Sequence, residues 1–109
     1  MTRADRGFWC LPEADINIPF TRGMSAVIQA RLAPQTAHEA MTTARRYGGG
    51  DALTAGIVDH AVAEDAVRST ALQLAAAQAS KAGTTLATIK TRMYSPVLDL
   101  LRDRTNPRG

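Results

Sequence analysis

The stretch DRGFWCLPEADINIP, residues 5–19, decides how the chain is interpreted. Its apolar run Phe8–Leu11 predicts a short β-strand that Pro12 stops, because proline cannot donate to a strand ladder. Glu13 follows at the strand exit, and we predict that residues 16–19 are extended or turning rather than helical. A carboxylate beside apolar surface has its charged form disfavoured, which suits a proton-transfer group. On the residues alone, a surface carboxylate is the commoner interpretation.

The remaining sequence is patterned mainly for helices. Met24, Val27, Ile28 and Leu32 recur at helical spacing, and Pro34 suits the first turn of a following helix. The predicted elements are a helix at 24–32, a helix at 34–44 with a small-residue packing face at Ala37, Ala40, Met41 and Ala44, a short helix at 52–55 ended by Gly56, one short strand that begins at 57–58 and continues at 60–62, a helix at 64–81, and a helix from about Thr84 to Arg102 that is kinked at Pro96.

These elements predict an α+β fold that is mostly helical and has a thin core. Hydrophobic residues make up 45% of the chain, but much of that fraction is alanine, which buries little area per residue. Short strands need a sheet to join, and no other segment of the chain offers one. We therefore expect the strands and the core to be completed by a partner beyond this sequence.

Charge and composition exclude several classes of protein. The net charge of +3 comes from cations scattered among acidic residues, a distribution that disfavours nucleic-acid binding and allows a small phosphate-bearing ligand. With one cysteine, Cys10, and lone histidines at His38 and His60, we expect neither a disulfide nor a metal site. No apolar run reaches the roughly 20 residues of a membrane span, and the N-terminus does not resemble a signal peptide. A cytoplasmic protein is expected.

Two motifs together resemble the crotonase superfamily of acyl-CoA enzymes. Residues 5–19 are similar to the family segment in which a strand delivers a Pro-Glu pair to the active site. Residues 44–59 are similar to a second signature: a basic strand, an acidic-Ala pair (Asp51-Ala52) that opens a short helix, and then Gly56-Ile57-Val58 with an acidic residue. The motifs stand in the family's order and at about its spacing, and the resemblance covers residues 5–103.

The resemblance implies the C-terminal part of a ClpP/crotonase-like β-β-α superhelix. Residues 1–62 would end the spiral core, residues 63–103 would be the helical region used in trimer-type oligomers, and residues 104–109 would be a tail. The implied substrate is an acyl-CoA thioester, so coenzyme A is part of the substrate and no separate cofactor is expected.

The resemblance also assigns roles to particular residues. Glu13 would move protons next to a thioester whose enolate-like oxygen is held by two backbone N–H groups. Phe20 and Met24 would line the acyl pocket, although Met24 at helical spacing equally fits an ordinary core residue. Lys90 would lie near the coenzyme A phosphates, although a solvated helix face accounts for it as well.

One departure bears on the reaction. Hydratase-like members carry a glycine-rich loop after the glutamate, whereas residues 18–24 here are IPFTRGM, with Phe20 in that loop. This resembles the Δ3,Δ2-enoyl-CoA isomerase-like branch. In the family the second glutamate and the oxyanion-hole donors lie upstream of the position of Met1, so we expect the chain alone to be inactive. The alternatives are a non-catalytic truncated copy and an unrelated small helical binding module.

Overall fold

The computed structural model describes the backbone of residues 2–3 and all of residues 7–103, and this part of the chain is mainly helical. The elements are β1 (Thr2–Arg3), α1 (Glu13–Ile16), α2 (Arg22–Arg31), α3 (Pro34–Thr43), α4 (Gly49–Thr54), β2 (Ala61–Val62), α5 (Val67–Gln78), α6 (Thr84–Met93) and α7 (Ser95–Arg102). Single 3-10 turns at Glu64–Ala66 and Ala79–Lys81 flank α5. The predicted tail at 104–109 lies outside the described residues.

The two central helices follow the sequence signals closely. Thr21 caps α2, because its Oγ1 accepts a hydrogen bond from the backbone N–H of Met24 at 3.1 Å. Pro34 occupies the first turn of α3, where its missing N–H costs nothing, and Ala44 ends α3 in the left-handed conformation with φ 55°. The helices predicted at 24–32 and 34–44 are therefore confirmed to within two residues.

The core of the described chain is small and built largely from alanine. Tyr47, the largest fully buried side chain, is 1% exposed and packs with Ala40 and Ala52. Trp9 and Leu11, in the segment that precedes α1, pack against this cluster. The small-residue packing face predicted on α3 is confirmed, with Ala37, Ala40 and Ala44 buried and Met41 half-buried.

The segment around Glu13 differs from prediction in two ways. Residues 8–11 form no strand: Trp9 makes a single antiparallel bridge with Tyr47, through N–H···O bonds of 2.7 and 2.8 Å. The predicted extended or turning stretch at 16–19 is wrong at its first residue, because Glu13–Ile16 is a helical turn that starts at the Pro12 carbonyl. Residues 17–19 are non-helical, as predicted. Asn17 ends the turn in the left-handed conformation, with φ 58°.

The second motif also departs from prediction. Helix α4 begins at Gly49, three residues before the predicted start, so Asp51 lies inside its first turn. The strand predicted at 57–58 is absent, because the backbone N–H groups of Ile57 and Val58 point back to the Ala52 carbonyl, at 2.9 and 3.4 Å. Gly56 ends this region with φ +75°, as predicted.

The predicted lack of a strand partner within the chain is wrong. Strand β2, the part of the predicted 60–62 strand that forms, pairs in parallel with β1, placing Thr2 opposite Ala61 and Arg3 opposite Val62. Such a pairing of distant segments leaves no local trace in the sequence. After β2 the described chain is helical; the division into residues 1–62 and 63–103 stays a prediction.

The C-terminal helices are long but shallowly packed. The predicted break near Pro96 occurs at Tyr94, which separates α6 from α7 and leaves Pro96 in the first turn of α7. No described residue of α5, α6 or α7 is buried, and α7 makes its main contact with α2. Within the described residues, no helix has the length and apolar character needed to cross a bilayer.

Candidate functional site

Glu13 stands at the start of α1 with an unusual environment for a carboxylate. The residue is half-buried, and its Oε1 is fully buried with no hydrogen-bond partner among the described residues. Its backbone is fixed, because the Glu13 carbonyl accepts from the N–H groups of Asn17 and of Ile18, the latter at 3.1 Å. Helix α1 packs on α3. Buried polar atoms in native proteins are nearly always paired, so this oxygen marks a candidate site.

The two predicted acyl-pocket residues follow Glu13 closely in the chain. Phe20 is half-buried in the connection between α1 and α2. Met24, in the first turn of α2, is 43% exposed in the described chain. Their proposed contact with substrate stays a prediction.

Lys90 lies in a different part of the structure. It is exposed in the last turn of α6, and the main packing partner of α6 is α7. Glu13 is carried by α1, whose main packing partner is α3, so the helices that carry Lys90 and Glu13 do not pack substantially on each other. The exposure of Lys90 fits a solvated helix face, and a contact with coenzyme A phosphates stays a prediction.

The structure contains a polar network that the sequence did not reveal. The buried Tyr47 hydroxyl donates to Glu39 Oε1 at 2.6 Å, and Arg45 Nη1 donates to the same oxygen at 2.7 Å. The Arg45 guanidinium lies 4.6 Å from the centre of the Tyr47 ring, and Nη2 reaches Asp51 at 3.7 Å. Trp9 meets Tyr47 edge-on, with ring centroids 5.9 Å apart.

The electrostatics of this network favour a charged Glu39 and a neutral Tyr47. The hydrogen bond from Tyr47, and then that from Arg45, hold the pKa of Glu39 below its ordinary value. Burial, and then the hydrogen bond to Glu39, raise the pKa of Tyr47. The Tyr47 hydroxyl and the Arg45 guanidinium both bond to one oxygen of Glu39, so we interpret the network as a set of contacts that holds the second motif on α3. A weak signal was available: Tyr47 is one of the chain's five aromatic residues.

The described residues hold no cluster of three or more His, Cys, Asp or Glu side chains that could bind a metal ion. Cys10 is half-buried with a free thiol, and both His38 and His60 are exposed.

The fold is that of solved enoyl-CoA hydratase structures. A probable enoyl-CoA hydratase of Mycobacterium tuberculosis aligns with a TM-score of 0.81 and 24% identity over 93% of this chain and 43% of its own. An enoyl-CoA hydratase of Mycobacterium marinum gives 0.82 and 24%, over 93% and 45%. The apo structure of an M. tuberculosis enoyl-CoA isomerase gives 0.83 and 23%, again over 93% and 45%.

The two M. tuberculosis structures are of one protein, which is called a probable hydratase in one case and an isomerase in the other. The structural likeness therefore does not distinguish hydratase from isomerase. The chain spans less than half the length of these structures. No curated protein matches it significantly. The sequence model of the family described as enoyl-CoA hydratase/isomerase matches residues 3–105. This chain therefore belongs to the enoyl-CoA hydratase/isomerase family.

Proposed function

We propose that the protein to which this chain belongs moves the double bond of an enoyl-CoA thioester, with Glu13 transferring the proton. The observation that carries this proposal is the buried Oε1 of Glu13, which accepts no hydrogen bond from the described residues. A carboxylate oxygen that is desolvated and uncommitted to protein donors is available to a substrate proton. Membership of the enoyl-CoA hydratase/isomerase family supports the substrate class.

Isomerisation is the preferred reaction because it needs one carboxylate. Glu13 would take a proton from C2 of a 3-enoyl thioester and return it at C4, which leaves the double bond between C2 and C3. Hydration would need a second group to activate water. The connection between α1 and α2 carries the half-buried Phe20 where hydratase-like members have a glycine-rich loop, and this supports the isomerase-like branch.

The resemblance places the oxyanion donors upstream of this sequence. Removing even one such donor typically costs about 10²–10³ in rate. We therefore expect the 109-residue chain alone to convert 3-enoyl-CoA no faster than its Glu13→Gln variant. Turnover by the chain alone that depends on Glu13 would contradict this part of the proposal.

The catalytic role itself can be tested in a chimera. The N-terminal part of the M. tuberculosis structural relative is fused upstream of residue 7, and formation of the conjugated 2-enoyl thioester is followed by absorbance. We expect Glu13→Gln to lower kcat by about 10²–10⁴-fold, the usual worth of a general base. Asp15→Asn removes an exposed carboxylate from the same helix and should leave the rate within a few-fold. Equal rates for the Glu13→Gln variant and its parent would refute the role, and accumulation of a 3-hydroxyacyl product would favour hydration.

We also propose that the protein self-associates in a trimer-type homo-oligomer. We propose a cytoplasmic location for it. The supporting observation is the set of exposed large apolar side chains on α5, α6 and α7: Leu72, Leu74, Leu86, Ile89, Met93, Leu100 and Leu101. Exposed apolar surface of this extent is typical of association sites.

A further inference from the structure

An apolar groove lies between α2 and α7, away from the α1 turn that carries Glu13. Its volume is about 210 Å³, and its walls are side chains of Val27 and Ala30 on one helix and Val97, Leu98 and Leu101 on the other. Only apolar atoms face the groove. We refer to this feature as the α2–α7 groove.

A cation stands at one end of the α2–α7 groove. Arg31, in the last turn of α2, lends only apolar atoms to the wall, so its guanidinium lies at the rim. Its Nη1 donates to the Tyr94 hydroxyl at 2.8 Å. No carboxylate of the described residues forms a salt bridge with Arg31. A guanidinium has five N–H donors, so most of those on Arg31 have no partner among residues 7–103, and Tyr94 fixes their direction.

We propose that the α2–α7 groove binds a small amphipathic anion: a linear alkyl chain that ends in a carboxylate. The apolar walls would bury the chain, and Arg31 would receive the carboxylate in the two-point geometry that guanidinium groups favour. Charge complementarity at the rim selects this ligand over a neutral apolar molecule. The α2–α7 groove and the proposed role of Glu13 rest on different residues, so each can be tested without the other.

The volume of the groove limits the length of the alkyl chain. An engineered cavity of about 150 Å³ with apolar walls accommodates benzene. By the same ratio, the 210 Å³ of this groove would hold roughly eight carbon atoms. Octanoate is therefore the probe, with butyrate as the short-chain comparison and octan-1-ol as the neutral comparison.

The test is a titration of the 109-residue chain with each probe, followed by amide chemical shifts and by the shift in melting temperature. We expect octanoate to perturb residues of α2 and α7, and to bind about tenfold or more tightly than octan-1-ol, since a charge-assisted hydrogen bond is worth at least that factor. Butyrate should bind more weakly because it leaves most of the groove unfilled.

Three variants test the contribution of Arg31 and that of the apolar walls separately. Arg31→Gln should weaken octanoate about tenfold and leave octan-1-ol unchanged, whereas Arg92→Gln removes an exposed cation of α6 and should change neither. Ala30→Phe fills the groove and should abolish binding of both probes while Arg31 is intact. Circular dichroism checks that each variant folds.

Equal affinities for octanoate and octan-1-ol would overturn the proposal, as would equal effects of the Arg31→Gln and Arg92→Gln substitutions. Chemical-shift changes confined to residues outside α2 and α7 would do the same. So would sedimentation showing that the Ala30→Phe substitution dissociates an oligomer, because the occupant would then be a second copy of the chain.

Discussion

Glu39 and Glu13 differ in whether their carboxylate oxygens are hydrogen-bonded. Glu39 accepts hydrogen bonds from Tyr47 and Arg45 through one oxygen and helps to fix the second motif. Glu13 has a fully buried oxygen that accepts none from the described residues. A satisfied carboxylate contributes to stability, whereas an unsatisfied one costs stability and is retained where it serves a function. The contrast gives a prediction for each residue.

Replacing Glu13 should stabilise the chain. In the Glu13→Met variant, apolar atoms take the place of the buried unpaired oxygen, and we expect the free energy of unfolding to rise by about 0.5–1 kcal/mol. Urea unfolding followed by circular dichroism measures the change. The matched control is Asp15→Asn, which removes an exposed charge from the first turn of the same helix and should lower stability by a few tenths of a kcal/mol. If the Glu13→Met variant is less stable than the parent, Oε1 of Glu13 makes a stabilising hydrogen bond in the folded chain, and the prediction is wrong.

Glu39 should make the fold sensitive to acid. Because its pKa is lowered in the folded state, its contribution is fully present above the ordinary value of 4.5 and is lost as pH falls from there through the folded value. The melting temperature of the parent chain should therefore drop in that window. The Glu39→Gln variant should be less stable at neutral pH and should show a smaller drop below pH 4.5. Parallel curves for the two proteins would contradict the prediction.

At the residue scale, the sequence suggested a role for Glu13 but gave no sign of the polar network. The Pro12-Glu13 pair and its spacing to the second motif led to that prediction through family resemblance. The network of Tyr47, Glu39 and Arg45 was not predicted, because it depends on α3 bringing Glu39 beside a residue in the following connection. Neither the buried state of Tyr47 nor the unpaired state of the Glu13 oxygen has a local signature.

At the scale of elements, the close approach of α2 and α7 depends on one glycine. Gly23 is buried near the start of α2, and a Cβ atom there would lie 2.7 Å from Leu101 Cδ2 and 3.2 Å from Leu101 Cα. The side-chain atom could move, but the backbone atom could not do so without displacing α7. Since α7 makes its main contact with α2, this position controls how the C-terminal helix is attached to the rest of the chain.

We expect Gly23→Ala to destabilise the chain by about 1–2 kcal/mol, because the overpacking at Leu101 outweighs the gain in helix propensity. The control is Gly50→Ala in α4, where a Cβ meets nothing within 4 Å and the same propensity gain should stabilise by up to about 1 kcal/mol. Thermal or urea unfolding compares the two variants. If both substitutions stabilise the chain, α2 and α7 pack less closely at Gly23 than the distances to Leu101 indicate.

The elements that were predicted correctly are those with local signals. Helix α3 has Pro34 in its first turn and a small-residue face, and α2 has four apolar residues at helical spacing. Helix α1 was missed because Ile16 and Ile18 alternate as in a strand, while the hydrogen bonds to the Pro12 carbonyl decide otherwise. Helix α4 begins at Gly49 although glycine is a poor helix former, and the burial of Gly49 and Ala52 accounts for that override.

At the scale of the whole molecule, the described chain is more open than an ordinary domain of its length. Its Cα radius of gyration is 16.1 Å, against about 13 Å for a compact domain of 109 residues. Helices α5, α6 and α7 bury no residue, which accords with this openness. Composition had indicated a thin core, but which helices would be left uncovered could be known only from the fold.

The uncovered helices should drive self-association. We expect the chain to sediment as a concentration-dependent oligomer, and its melting temperature to rise with protein concentration. The double variant Leu72→Gln with Met93→Gln removes two of the most exposed apolar side chains, 58% and 64% exposed, and should shift the chain to the monomer with little change in monomer stability. The control is Leu53→Gln, which removes a 44% exposed leucine from α4, outside these helices, and should leave the oligomer intact. A parent chain that stays monomeric at every concentration would show that α5, α6 and α7 do not drive association between copies of this chain.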